Sequence, residues 1–268
     1  PLSRSDSLPV SSSPVSVDRH HRTTDLASPA CCERYQIMAQ NGVQNGAPKV
    51  VLGYWDIRGL AQPCRLLLEY SNVPFEDKKY ALEATPEGGW SAKSWLDVKH
   101  TLGVEFSNLP YMIDGDVKIS QTNAIMRHIC RNYNPKLLGE GPHEMARVDM
   151  CADVVMDYRN TIVKVAYGPD FDTNFKAWVE TTMSKFLKCF SDHLADKEWL
   201  VGKQITFPDF HLYELLDQTR LMKKDALDEY GNLKAYCDRF EALPAISSYM
   251  KSSRFMARPV NNRMAGFK

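Results

Sequence analysis

This sequence lacks several motifs that would indicate a particular cofactor or type of chemistry. Its 268 residues contain no H-E-x-x-H pattern, no metal-ligand spacing among the seven His, no Gly-x-Gly-x-x-Gly and no P-loop, so neither a metal nor a nucleotide is expected. No apolar run approaches the roughly 18 residues of a membrane-spanning helix, so we expect no membrane partner. There is no C-x-x-C pair, and the seven Cys leave an odd one. Reduced thiols and a cytoplasmic location are therefore expected rather than a disulfide framework.

Charge of one sign is not in excess either. Lys plus Arg and Asp plus Glu both count 33, which gives a formal net charge of zero. No positive field is available to attract nucleic acid, so none is expected as a partner. What is present is an ordinary globular composition, 44% hydrophobic and 25% charged. That is enough apolar material for one large domain or two small ones.

Residues 1–47 differ in character from the rest. They are rich in Ser and Pro, and their few apolar residues show no period, so we expect a disordered N-terminal extension. Because a polar stretch follows Met38, we hypothesise that residues 1–37 are a translated leader or an added segment. A transit peptide is the alternative, but the acidic residues of this segment do not suit an Arg-rich, acid-poor pattern.

An α/β pattern covers residues 48–134. The run 49–55 predicts a strand, the apolar spacing from Leu60 onward predicts a helix, and residues 75–81 predict an edge strand. A Trp-containing helical stretch follows. Two short apolar runs flank Asp114-Gly-Asp, a hairpin signal, and residues 121–133 carry a helical face. The predicted order is βαβαββα.

The pattern is helical over residues 142–268. Apolar residues recur at helical spacing over residues 145–166 and again over 175–194. The sharpest signal is a capping box, with Thr206 as N-cap and Asp209 reaching back to it, beside a staple of Ile205 on Phe210. An all-helical domain is therefore expected after the α/β domain.

Motifs along this order resemble a known family. They are Leu52-Gly-Tyr-Trp-Asp-Ile-Arg-Gly-Leu-Ala, Arg65-Leu-Leu-Leu-Glu-Tyr, Asn108-Leu-Pro-Tyr, Lys118-Ile-Ser-Gln-Thr-Asn-Ala-Ile, the Ile205 capping motif, and Met250-Lys-Ser-Ser-Arg-Phe. Over residues 49–268 the chain resembles the cytosolic glutathione transferases, and the mu class most closely. The resemblance implies a thioredoxin-like N-terminal domain, an all-α C-terminal domain and a homodimer. It also implies conjugation of glutathione, the co-substrate, to small hydrophobic electrophiles in detoxification.

The chemistry requires a thiol to be held as its thiolate near neutral pH. One charge-assisted hydrogen bond is worth about 1.5–3 kcal/mol, enough to lower a thiol pKa by roughly one to two units. Tyr54 matches the family's catalytic tyrosine in the Gly-Tyr-Trp motif, and the N-terminus of the helix beginning near Leu60 would assist it. Tyr167 matches the position whose hydroxyl assists addition to some electrophiles. The alternative for Tyr54 is a plain strand-end aromatic.

Further glutathione contacts follow from the resemblance. Pro110 matches a cis-proline that presents the Leu109 backbone to the cysteinyl unit. Gln121 and Thr122 match the residues that hold the γ-glutamyl carboxylate, with plain helix capping as the alternative for Thr122. The other positions matched to glutathione contacts are Trp55, Leu60, Trp95, Lys99, Asn108 and Asp157. Of these, Lys99 faces the glycyl carboxylate and Asp157 reaches across the dimer.

The electrophile is expected in an apolar cleft beside the sulfur. Met156, Asn160, Val163 and Tyr167 fall on one face of a single helix, which in most proteins would simply face the core. The residues expected to line the cleft are Ile57, Met156, Arg159, Asn160, Val163 and Asn261. For the dimer interface, Phe106 matches the aromatic residue that inserts into the partner.

Two departures from the mu pattern bear on function. The loop over residues 82–93 is about two residues longer and lacks the usual arginine, and Asn160 and Asn261 make the cleft more polar. A non-catalytic carrier of apolar ligands and a glutathione-dependent isomerase remain open as alternatives on the same scaffold. Thiol–disulfide chemistry is disfavoured because the catalytic position is Tyr54 and Cys64 lies a full turn into the helix.

Overall fold

The computed structural model describes residues 50–268, together with the backbone of Val43–Gln44 and Ala47–Pro48, which pair as a short antiparallel ladder. Apart from these short strands, the expected disordered extension over residues 1–47 lies outside the described residues. The leader hypothesis for residues 1–37 concerns the same undescribed part of the chain.

A four-stranded mixed sheet forms the N-terminal part of the described chain. Its strands are β1 Val50–Trp55, β2 Phe75–Tyr80, β3 Tyr111–Asp114 and β4 Val117–Ser120. The spatial order is β2-β1-β3-β4, with β1 parallel to β2 and the other pairs antiparallel. The predicted edge position of β2 and the predicted hairpin between β3 and β4 are both confirmed. Gly115 supplies the positive φ of 60° that the tight turn requires.

Helices cover this sheet as predicted. They are α1 Gln62–Tyr70, α2 Lys93–Leu96 and α3 Thr122–Tyr133. The order βαβαββα is confirmed, although α2 is only four residues long. The loop before α2 also contains a short antiparallel pair, Glu83–Ala84 with Trp90–Ser91, which the sequence pattern does not reveal because each strand has only two residues.

The C-terminal part of the described chain is helical, also as predicted. Its helices are α4 Gly141–Ala166, α5 Phe171–Trp178, α6 Ser184–Leu194, α7 Phe207–Met222, α8 Gly231–Glu241 and α9 Pro244–Lys251. The helix predicted over residues 175–194 begins earlier, at Phe171, and a π-helical turn, Val179–Met183, joins α5 to α6. Such a turn changes the number of residues per turn, so it interrupts the helical period predicted over residues 175–194.

The central helix α7 connects the two parts of the fold. Twelve of its sixteen residues are buried, and it packs on both α4 and α1. The Tyr70 and Phe210 rings meet edge to face across the α1–α7 contact, with centroids 5.2 Å apart. The predicted capping box is confirmed: the Asp209 carboxylate accepts from the Thr206 backbone N–H at 2.8 Å.

Two structural features are absent from the described residues. No helix between residues 50 and 268 is long and apolar enough to cross a membrane. Within the same part of the chain, no group of three or more His, Cys, Asp or Glu is placed to hold a metal ion.

Candidate active site

Tyr54 lies near the end of β1 with its hydroxyl turned toward the start of the next helix. The ring is buried, and its hydroxyl oxygen accepts a hydrogen bond from the Leu60 N–H at 3.2 Å. Burial raises the pKa of Tyr54, while the Leu60 N–H and the Arg159 guanidinium oppose that rise. The hydroxyl therefore keeps its proton at neutral pH. Since Leu60 donates to the oxygen, that proton is free to bind an acceptor in the cleft.

The turn that carries Leu60 is held by distant parts of the chain. The Arg58 guanidinium is buried and forms ion pairs with Glu214 and Asp217 of α7, each at 2.6 Å. The Arg58 and Gly59 N–H groups donate to the carbonyls of Pro259 and Val260 in the C-terminal tail, at 2.9 and 3.1 Å. Helix α7 and the tail thus fix the position of the Leu60 N–H, which donates to Tyr54.

Gly59 sits directly against the Tyr54 ring. Its φ is +41°, and an added Cβ would lie 2.7 Å from both Cε1 and the hydroxyl oxygen of Tyr54. No side chain fits between the turn and the ring, because real Cβ atoms do not approach other atoms so closely. Glycine at this position is therefore a condition for the Tyr54–Leu60 hydrogen bond.

A narrow recess opens beside the Tyr54 hydroxyl. Its lining residues are Tyr54, Ile57, Gly59, Arg159, Val163, Tyr167, Leu215, Gln218 and Asn261. The structure thus brings together both residues predicted to be catalytic and four of those predicted for the electrophile cleft. The free volume is only about 20 Å³, less than an aryl ring needs. An electrophile must therefore displace some of the lining side chains.

Two residues predicted for the cleft, Met156 and Asn160, do not line this recess. Met156 is half-buried on α4 and precedes Tyr167 by eleven residues. The two residues are therefore about 16 Å apart along the helix axis. Asn160 follows Arg159 by one position, so it is rotated by about 100° and is exposed. The recess instead takes Arg159, Val163 and Tyr167, an i, i+4, i+8 row that is slightly rotated from the predicted one.

Tyr167 closes the recess on the side of the C-terminal tail. Its hydroxyl oxygen accepts a hydrogen bond from the Asn262 N–H at 2.8 Å, and burial raises its pKa. The side chain is 36% exposed, so one edge of the ring faces solvent. Like Tyr54, it presents a hydroxyl that is bound as an acceptor and retains a proton to donate.

A second recess, of about 390 Å³, groups several residues predicted to bind glutathione. Lys99, Asn108 and Gln121 line it together with Phe106. Gln121 has a φ of +75°, a left-handed conformation that costs a non-glycine residue of order 1–3 kcal/mol. Strain of this kind concentrates at functional sites, so its presence at a residue predicted to bind glutathione supports that hypothesis.

The backbone around the predicted glutathione contacts is partly engaged. The Leu109–Pro110 peptide is cis, as the resemblance implies. The Leu109 N–H donates to Oδ1 of Asn108 at 2.9 Å, so a ligand that pairs with it must displace that side chain. The Thr122 hydroxyl donates to the Leu60 carbonyl at 3.2 Å and makes no capping hydrogen bond. The capping alternative for Thr122 is therefore wrong.

The remaining predicted contacts are dispersed within one chain. Trp95 is buried and stacks on Tyr111 with centroids 5.9 Å apart, which makes it a core residue of this chain. Trp55 is half-buried and packs against the core, whereas Asp157 is exposed on α4. The Phe106 side chain is 78% exposed, which is unusual for an aromatic ring without a partner.

Some residues that build the recess were not predicted. Arg58 and Gly59 belong to the Trp-Asp-Ile-Arg-Gly-Leu motif, and their closeness to Tyr54 in sequence is the signal that could have identified them. Leu215 and Gln218 belong to α7, about 160 residues from Tyr54 in sequence, and nothing in their local pattern distinguishes them from other core positions.

Comparisons with known families agree with this architecture. Residues 50–131 match the family model described as glutathione S-transferase, N-terminal domain, and residues 156–253 match the model for glutathione S-transferase, C-terminal domain. The chain belongs to the glutathione S-transferase family. The boundary between the two matches falls between α3 and the middle of α4. The glutathione S-transferase fold predicted from the motifs is thus confirmed.

Individual relatives confirm the resemblance to the mu class. Glutathione S-transferase Mu 2 of Mus musculus is 44% identical over 216 residues, which cover 81% of this chain and 97% of the relative. Glutathione S-transferase Mu 3 of Homo sapiens is 43% identical over 216 residues, 81% of this chain and 94% of the relative. Among solved structures, the Pi-class glutathione S-transferase of Onchocerca volvulus aligns with a TM-score of 0.70 at 28% identity, covering 81% of this chain and 99% of that one.

Proposed function

We propose that this glutathione S-transferase conjugates the thiolate of glutathione to small hydrophobic electrophiles, as in detoxification. The observation that carries the proposal is the Tyr54 hydroxyl, which is held as an acceptor by the Leu60 N–H and has its own proton free at the recess. A donor placed there stabilises a thiolate because a hydrogen bond to the charged form lowers the pKa of the thiol.

The reaction with an aryl halide balances as a substitution. The thiol loses its proton to solvent, the thiolate attacks the ring carbon, the C–S bond forms and the C–halogen bond breaks. The halide leaves with the bonding electron pair. In this scheme Tyr54 donates to the sulfur throughout, and Tyr167 donates to charge that develops on the electrophile.

Glutathione binding is assigned to two groups of residues. Lys99, Asn108 and Gln121 share the larger recess, and the first N–H groups of α3 lack intrahelical acceptors and suit the γ-glutamyl carboxylate. The contacts proposed on the resemblance alone are those of Trp55, Leu60, Trp95, Leu109, Pro110, Thr122 and Asp157. The electrophile is assigned to the recess lined by Ile57, Arg159, Val163 and Asn261.

The assembly proposed is a homodimer in which Phe106 enters the partner chain and Asp157 contacts the partner's glutathione. Exposure of 78% for the Phe106 side chain supports this arrangement. A cytoplasmic location is proposed on cysteine usage, since Cys64, Cys130, Cys151, Cys189 and Cys237 are all free thiols. The proposed units are an extension over residues 1–47, a glutathione-binding domain over 48–134 and a helical domain over 142–268.

Replacement of Tyr54 tests the proposal. We expect Tyr54→Phe to lower kcat/KM for a neutral aryl halide by about ten- to a hundredfold, since the lost bond is worth about 1.5–3 kcal/mol. The pKa read from the pH profile of kcat/KM should rise by about one to two units. The measurement compares wild type, Tyr54→Phe and Tyr70→Phe, each checked for dimer formation by sedimentation.

Tyr70→Phe serves as a matched control because that ring packs on Phe210, away from the recess. A Tyr54→Phe enzyme with an unchanged rate and pH profile would remove Tyr54 from thiolate stabilisation. Glutathione binding without turnover of any electrophile would favour the carrier, and interconversion of isomers without consumption of glutathione would favour the isomerase.

A further inference from the structure

Arg159 is a cation in the electrophile recess that no carboxylate of residues 50–268 balances. Its side chain is half-buried and lines the recess beside Tyr54 and Tyr167. The hydrogen bond it makes runs from Nη1 to Oδ1 of its neighbour Asn160 at 3.3 Å, and it forms no ion pair with any residue between 50 and 268. Arginine remains charged even where burial lowers its pKa, as it does here.

Most other buried or half-buried arginines between residues 50 and 268 form an ion pair with a carboxylate. Arg58 is paired with Glu214 and Asp217, Arg65 with Asp77, and Arg220 with Asp217 and Glu241. Each of these guanidinium groups thus has a carboxylate that offsets the cost of removing its charge from water. Arg239 also forms no ion pair with residues 50–268, but it donates to the Glu198 carbonyl at 2.7 Å and lies over the Trp199 ring, whereas Arg159 lines the recess where a substrate is proposed to enter.

The other polar side chains of the recess, Gln218 and Asn261, already donate hydrogen bonds within the chain. Gln218 donates its amide N–H to Glu214 at 2.8 Å, and Asn261 donates to the Phe267 carbonyl at 3.2 Å. The remaining lining side chains are apolar or are the two tyrosines. The guanidinium, with a planar fork that matches a carboxylate, is therefore the main charged recognition group that this recess presents.

We propose that Arg159 selects electrophiles that carry an anionic group, a carboxylate being the best match to its fork. The inference rests on the proposed conjugation and names the substrate class of the same recess. Because the recess is narrow, an electrophile beside the Tyr54 hydroxyl must contact Arg159 or displace it. A neutral electrophile leaves the cation without a carboxylate partner, whereas an anionic one supplies the carboxylate that residues 50–268 do not.

A rival role is stabilisation of the glutathione thiolate, since Arg159 lies near the Tyr54 hydroxyl. The two roles differ in what they discriminate. A thiolate partner accelerates every electrophile in the same proportion and shifts the pH profile, whereas a substrate partner changes the preference between an anionic and a neutral electrophile. The ratio of two kcat/KM values measured on one enzyme therefore separates them.

The test compares chlorodinitrobenzene, which is neutral, with chlorodinitrobenzoate, in which a ring carboxylate is added. In both, the C–S bond forms, the C–Cl bond breaks and chloride leaves with the electron pair, while the carboxylate is unchanged. We expect Arg159→Gln to lower the ratio of kcat/KM for the benzoate over the neutral compound by about ten- to a hundredfold, the range of one charge-assisted hydrogen bond. Arg159→Lys should keep only part of the preference, because it keeps the charge but loses the planar fork.

Lys164→Gln is the matched control, since it removes a positive charge from the exposed face of the same helix. We expect it to leave the ratio within about twofold, because exposed charges are screened by salt. An unchanged ratio in Arg159→Gln, or an equal loss for both electrophiles, would overturn the inference, and the equal loss would assign Arg159 to the thiolate.

Turnover of the neutral compound by wild type reports separately on the proposed function. If neither compound is turned over, the dissociation constants of the two glutathione conjugates, measured by tryptophan fluorescence, decide the role of Arg159. Tighter binding of the carboxylated conjugate that Arg159→Gln abolishes would support the inference. Equal binding of the two conjugates, or binding of neither, would refute it.

Discussion

At the scale of single residues, the site depends on Gly59 as much as on Tyr54. The tyrosine hydroxyl is useful only where the Leu60 N–H holds it, and that N–H belongs to a turn whose glycine lies against the tyrosine ring. Gly59 thus combines a positive φ with a close approach, two constraints that a residue with a Cβ meets only by moving the turn or the ring.

We expect Gly59→Ala to lower kcat/KM by at least about tenfold and the free energy of unfolding by about 1–3 kcal/mol, because it adds backbone strain and a clash. Gly141→Ala isolates the strain: Gly141 has a φ of +69° and no heavy atom within 4 Å of the added Cβ. Steady-state kinetics and urea unfolding of both variants measure the difference. Equal losses of activity in the two variants would contradict a special role for the Gly59–Tyr54 contact.

Single-residue roles were only partly readable from the sequence. The motif around Tyr54 pointed to its hydroxyl, and the cis geometry before Pro110 followed from the resemblance. The environment of Arg159 was not readable, because a cation on a helix is unpaired only if every carboxylate that could reach it is held elsewhere. That condition depends on the packing of α7 and the tail.

At the scale of elements, helix α7 carries the connection between the core and the active site. Glu214 on this helix is buried, accepts from Arg58 at Nε and Nη2, and also accepts from Gln218. The same arginine precedes Gly59, so the ion pair positions the turn that contacts Tyr54. Helix α7 therefore acts on the site through a residue that does not itself line the recess.

Removal of the Glu214 carboxylate should lower the stability of the folded protein. We expect Glu214→Ala to lower the free energy of unfolding by about 3–5 kcal/mol, since it leaves a buried guanidinium with one carboxylate partner. Asp217→Asn should cost less, because Asp217 is 17% exposed against 1% for Glu214. Urea unfolding at one protein concentration measures both, and a cost for Asp217→Asn as large as that for Glu214→Ala would contradict this ranking.

Element order was predictable because it rests on short-range signals. Alternation and helical spacing placed the strands and helices, and Thr206 with Asp209 marked the start of α7. Boundaries were less predictable where a local feature interrupts the period, as the π-helical turn Val179–Met183 does. The two-residue strands before α2 are too short to leave a pattern.

At the scale of the whole molecule, burial of titratable groups links stability to pH. His211 on α7 is buried, and its Nδ1 has no hydrogen-bond partner within residues 50–268. Burial, assisted by the nearby Arg159, lowers the pKa of His211 to about 3. The folded protein therefore keeps this imidazole neutral, while the unfolded chain protonates it near its usual value of about 6.5.

The sign of the effect follows from proton uptake. Below about pH 6.5 the unfolded state binds a proton that the folded state does not, so stability falls as the pH falls toward 3, by up to about 1.4 kcal/mol per pH unit. Between pH 7.5 and 5.0 the loss from His211 should be about 2 kcal/mol. We expect His211→Leu to lose that much less stability over this interval than wild type, measured by urea unfolding.

The readout is the difference between the two proteins, because Asp209 acts in the opposite sense. Burial raises the pKa of Asp209 to about 6, so its protonation favours the folded state as the pH falls from about 6 to 4. Both proteins contain Asp209, so its contribution cancels in the comparison. Parallel pH dependences of wild type and His211→Leu would contradict a neutral buried His211.

The sequence by itself determined the order of strands and helices, the hairpin at Gly115, the start of α7 and the place of Tyr54 near the end of a strand. Each of these depends on residues close together in the chain, or on a motif that carries its own geometry. Only the tertiary structure decided that, among residues 50–268, Arg58 has carboxylate partners and Arg159 has none, and that Leu215 and Gln218 line the same recess as Tyr54. These outcomes depend on which helices pack together and on the burial of charge, and both are set by contacts between residues far apart in sequence.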